Sequence, residues 1–80
     1  MPEYFVISHS FAAPFISDVD ESFIKGKDPK DAKTRFRKGY KHPAGLYSAG
    51  LYKDANAAKR GRKALALYFS GKAKKDAKEV

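Results

Sequence analysis

The sequence predicts a small α+β domain, a two-layer sandwich of order β-β-α-β-α, with a three-stranded sheet and two helices on one face. Three observations carry this reading. A β-branched and aromatic block opens the chain, two acidic residues each precede a stretch suited to a helix, and an alternating run separates those stretches. Eighty residues allow one such domain. Residues 1–71 are expected to form it, with 72–80 as a basic, frayed C-terminal tail.

Residues 3–8 have strand composition, and the continuous apolar block from Tyr4 to Ile7 suits a central strand buried on both faces. Residues 9–19 follow as a loop. Pro14 breaks regular structure and pushes Ala13 towards extended geometry. The loop is rich in apolar side chains (Phe11, Phe15, Ile16, Val19), which must pack down on the domain or meet a partner. Residues 21–25 read as a second strand, antiparallel to the first.

Asp28-Pro29 announces a helix: Asp28 suits the N-cap, and Pro29 the first helical position, where a missing N–H costs nothing. The helix is expected from Pro29 to about Lys41, before Pro43, with Ala32, Phe36 and Tyr40 facing the core. Its outer face is cationic: Lys30, Lys33, Arg35, Arg37, Lys38 and Lys41. Residues 42–45 form a turn, and 46–53 a third strand in which Gly50 marks a bulge or a close backbone contact. Asp54 is a second N-cap, and its segment echoes the first: Asp28-Pro29-Lys30-Asp31-Ala32-Lys33 against Asp54-Ala55-Asn56-Ala57-Ala58-Lys59. The stretch after it suits a helix interrupted near Gly61. Leu65, Leu67 and Phe69 equally suit a strand at period two. The alanine content and the lack of β-branched residues favour the helix.

Charge divides the chain. The first 24 residues hold no Lys or Arg and carry a net −4; residues 25–80 hold all 17 basic side chains against five acids, a net +12. No Cys is present, which excludes disulfides and thiolate chemistry, and His9 and His42 are too few for a metal site. No apolar run reaches the length of a membrane span, and no basic segment precedes an apolar stretch as in a secretory signal, so a cytoplasmic protein without membrane contact is expected.

The strongest functional signal is the pair of basic clusters, one on helix 29–41 and one at residues 59–63. Such clusters bind phosphates by releasing counterions, and Arg adds a bidentate fork for phosphate oxygens. The expectation is a noncatalytic binding module that contacts nucleic acid, with DNA and RNA both left open, through Lys30, Lys33, Arg37, Lys41, Lys59, Arg60, Arg62 and Lys63. Tyr47 and Tyr52 are aromatics on the third strand of the type that stacks bases, although half-buried packing is their commoner use. The alternative is a protein-interaction module, a homodimer, adaptor or inhibitor, that uses Phe11, Phe15, Ile16 and Val19 with the uncovered sheet face. Ser8-His9-Ser10 with Asp18 and Asp20 supplies the residue types of a hydrolytic triad, but neighbours on a strand point to opposite faces and no nucleophile motif surrounds either serine. No enzymatic activity and no cofactor is expected. Asp18-Val19-Asp20-Glu21 lacks the ligand spacing of a calcium loop.

Overall fold

The apolar block near the N-terminus becomes an inner strand of the sheet. The computed structural model describes residues 1–11 and 20–78, with side chains as far as Lys75. The elements are β1 (Glu3–Ser10), β2 (Asp20–Lys25), α1 (Pro29–Gly39), β3 (Leu46–Tyr52), α2 (Ala55–Lys59), β4 (Ala66–Phe69) and α3 (Gly71–Lys78). The strands form one antiparallel sheet in the order β2-β1-β3-β4. Phe15, Ile16, Val19 and Asp18 lie outside the described residues.

The α+β class and antiparallel sheet agree with the expectation, but the described sheet has four strands and the helices number three, against an expected three and two. The error lies after Asp54. Helix α2 is only five residues long, because Gly61 turns the chain with φ of +70°, a conformation that favours glycine. The period-two reading of Leu65, Leu67 and Phe69 then applies, and β4 pairs with the free edge of β3, Ala66 opposite Leu51 and Tyr68 opposite Ala49. Pairing with a partner distant in sequence overrides a local helix preference. Residues 71–78, polar and cationic, form α3, capped by Ser70, whose Oγ accepts from the Ala73 N–H at 3.1 Å.

Local chemistry sets the other helix starts. The Asp28 carboxylate accepts from the Asp31 N–H at 2.7 Å, and Pro29 takes the first turn of α1. Asp54 accepts from the Ala57 N–H at 2.8 Å and starts α2 in the same way. Helix α1 ends at Gly39, two residues short of the expected end, and the Tyr40 N–H closes on the Arg37 carbonyl. In the following turn His42 Nδ1 accepts from the Ala44 N–H at 3.1 Å. Gly45 completes the turn with φ of +90°.

The core is the layer between α1 and one face of the sheet. Val6, Ala32, Ala49 and Leu51 are buried there, and Tyr4, Ile24, Phe36, Leu46, Ala66 and Tyr68 pack around them. Val6 and Leu51 are fully buried, and each removes about 1.5–3 kcal/mol of apolar side chain from water. Gly26 permits this layer to close: a Cβ there would stand 2.5 Å from the Ala32 nitrogen.

The second face follows from the register. Phe5 pairs with Phe23 and Tyr52, Ile7 with Gly50, and Gly50 with Leu67, so all of these point away from the core layer. Phe5 is buried, with its ring edge-on to Phe23 at 5.4 Å. Four large apolar side chains stay about half exposed: Phe23 (58%), Leu65 (51%), Leu67 (49%) and Phe69 (46%). The bulge lies between His9 and Ser10 of β1, opposite Tyr47, and not at Gly50. No close backbone contact is found at Gly50 either: a Cβ there would stand 3.4 Å from the Tyr52 ring, an ordinary contact with a side chain.

Candidate functional site

Strand β4 is an edge strand, with cations of α1 against it and further cations beside the segment that leads into it. Helix α1 crosses the core face of β4. Lys33 reaches over the edge and its Nζ donates to the Leu67 carbonyl at 3.3 Å. One turn further along, the Arg37 guanidinium carbon stands 4.3 Å from the centre of the Tyr68 ring. The chain entering β4 adds Arg60, Arg62 and Lys63. Parts of the two basic clusters thus lie at β4 and at the residue before it, although Lys33 and Leu67 are 34 residues apart.

A cleft lies towards each end of β4. The first, about 460 Å³, is walled by Arg37, Lys38, Thr34 and His42 with the rings of Tyr40 and Tyr68. The second, about 620 Å³, is walled by Lys53, Arg60, Arg62 and Lys63 with Asn56 and Leu65. Each combines several cations with apolar surface, and the second contains one acid, Asp54, whose carboxylate is engaged in capping α2. Such clefts attract phosphate oxygens through charge and through the guanidinium donors.

The expected site residues divide into groups. Lys33, Arg37, Arg60, Arg62 and Lys63 border β4 or its clefts. Lys59 is exposed at the end of α2, and Lys30 is exposed in the first turn of α1. Lys41 lines a different cleft, between the end of α1 and β2, with Ser8, Asp20, Ser22 and Tyr40. Arg35, on the outer face of α1, is paired with Asp31 at 2.9 Å. Lys53, Lys38, Thr34 and Tyr68 join the β4 clefts without having been among the expected contacts. Lys38 was legible as part of the cationic helix face; Lys53 was not, because its only local mark is its place before the Asp54 cap.

Two groups in this region titrate away from their ordinary values. The Lys27 N–H donated to Asp31 lowers its carboxyl, with help from the Arg35 guanidinium and against a smaller opposing effect of partial burial. Burial raises the Tyr40 hydroxyl, the Asp20 charge adds to this, and Ser10 nearby acts in the other direction. The Tyr40 oxygen has no hydrogen bond of good geometry.

Tyr47 and Tyr52 are both half-buried. Tyr47 meets the Phe11 ring edge-on at 5.2 Å, and Tyr52 lies against Gly50. Phe11 is 37% exposed, the one described residue of the four proposed for a protein interface. Ser8 and His9 do not converge. Ser8 is buried opposite Ala49 in the core layer, while His9 pairs with Ser48 and points to the other face. Among the described residues no three His, Asp or Glu cluster as metal ligands, and no helix is long and apolar enough to cross a membrane. Comparison with family models, with curated proteins and with solved structures finds no match to this chain.

Proposed function

We propose that this protein is a noncatalytic module that binds nucleic acid through its phosphates. The observation that supports the reading is the placement of Lys33 and Arg37 on edge strand β4 and of Arg60, Arg62 and Lys63 in the cleft at Leu65, directly before it. A chain with net charge +8 gathers a phosphate polymer from solution, and an ordered line of cations releases counterions as the polymer docks. Lys33 has a structural use as well, since from α1 its ammonium occupies the Leu67 carbonyl of the edge strand, a group that a further strand would pair with. Arg60, Arg62 and Lys63 are exposed and serve no core contact, which leaves them for a ligand.

Fluorescence anisotropy with labelled duplex DNA, single-stranded DNA and RNA, titrated at several salt concentrations, tests the proposal. Binding that persists near physiological salt, with log K falling by about 0.9 per phosphate contacted on a duplex or about 0.7 on a single strand per decade of salt, supports it. Weak binding, equal for all three and lost near physiological salt, reduces the charge to nonspecific attraction and contradicts it.

A further inference from the structure

Beside the cationic line, on the second face of the sheet, β4 displays a row of apolar side chains. Leu65, Leu67 and Phe69 alternate with the core-facing Ala66 and Tyr68 and remain 46–51% exposed. Leu65 directly precedes β4, and its backbone N–H bonds to the Leu51 carbonyl, one residue out of step with the β3–β4 register, so it flanks the strand and Leu67 and Phe69 belong to it. Side chains two residues apart on one face of a strand stand about 7 Å apart. An extended polynucleotide has a repeat of the same order. Leu65 also walls the cleft that holds Arg60, Arg62 and Lys63, and Lys33 bonds to the Leu67 carbonyl, so apolar and cationic side chains meet at this edge.

We infer that the ligand of this edge is a single-stranded nucleic acid, with phosphates on the cationic line and unpaired bases laid on Leu65, Leu67 and Phe69. The inference rests on the phosphate-binding reading and deepens it. A duplex offers its phosphates outward and keeps base faces stacked inside, so it leaves the apolar row in water. A single strand satisfies both surfaces, because every base has an apolar face that stacks on an aromatic ring. Charge separates this occupant from a second copy of the protein. Pairing two such edges brings Arg60, Arg62 and Lys63 of one copy towards a chain that also carries net charge +8. A polyanion neutralises them instead.

The test compares two single strands of equal length and charge, one with bases and one with abasic sites, in deoxyribose and ribose forms. The intact strand binds more tightly than the abasic strand and than a duplex. Phe69→Ala weakens it about 5- to 100-fold with an unchanged salt slope, and Phe69→Tyr retains binding. Arg60→Glu with Arg62→Glu weakens intact and abasic strands alike. Equal, salt-dependent binding of intact and abasic strands overturns the inference and leaves the phosphate reading standing. No binding of either strand at low salt overturns both. A dimer in light scattering that Phe69→Ala dissociates, together with no preference for bases, assigns the row to a second copy and overturns the inference.

Discussion

The Arg37 guanidinium stacks over the Tyr68 ring, its carbon 4.3 Å from the ring centre. This contact fastens the last turn of α1 to the edge strand and holds a cation beside β4. A cation over an aromatic face at an exposed position contributes about 0.5–1 kcal/mol. Arg37→Ala should lower the unfolding free energy by about that amount in urea denaturation, and Arg37→Lys by less. An unchanged midpoint for Arg37→Ala would show that the ring does not hold the helix in place.

Gly26 is the most closely packed of the described glycines, set against Ala32 of α1. A Cβ there meets the Ala32 nitrogen at 2.5 Å and the Ala32 Cβ at 2.7 Å, and Ala32 is fully buried. Backbone atoms do not yield as a flexible side chain does. Gly26→Ala should destabilise the protein by about 1–3 kcal/mol or more, read from thermal unfolding. Gly39→Ala, where no atom lies within 4 Å of the new Cβ, is the control and should not destabilise.

The three caps should rank by what their helices cover. Asp28→Ala removes the acceptor for the Asp31 N–H and loosens the helix over the core, at a cost of about 1 kcal/mol. Asp54→Ala acts on a five-residue helix and should cost less, near the lower end of about 0.5–2 kcal/mol. Ser70→Ala should reduce the helical signal in circular dichroism by the contribution of α3. An Asp54 variant less stable than the Asp28 variant would contradict the ranking.

These caps also mark what the sequence makes legible. Asp28-Pro29 and Asp54 act within three residues, so their helix starts can be read locally. The central position of β1 is legible from its continuous apolar block. Residues 65–69 are not. Over five residues, Leu65, Leu67 and Phe69 fit a strand while Leu65 and Phe69 fit a helix, and the free edge of β3 decides between them. The candidate site was legible as charge but not as geometry. Lys33 and Arg37 reach Leu67 and Tyr68 only because residues 66–69 form an edge strand beside α1, and the helical reading of 65–69 hid that placement.

Stability should depend on pH at both ends of the scale. Asp31 is lowered from 3.8 in the folded protein, so it stabilises the fold above that value, and the contribution is lost as pH falls through the folded value. Asp31→Asn should flatten the acid limb. Tyr40 is raised from 10.0, so its contribution is complete below pH 10 and is lost as pH rises through the folded value. Tyr40→Phe should flatten the alkaline limb and remove one late-ionising hydroxyl from the ultraviolet titration. Identical alkaline limbs for the two proteins would contradict the burial assigned to this hydroxyl.

The central claim is that the cations beside β4 contact phosphates, and the salt dependence of binding measures it most directly. Arg60→Glu with Arg62→Glu should reduce the slope of log K against log salt by about 1.8 on duplex DNA, or about 1.4 on a single strand, if each arginine contacts one phosphate. Thermal unfolding should stay unchanged, because both side chains are exposed. A slope equal to that of the unmodified protein, in a variant that remains folded, would contradict the account.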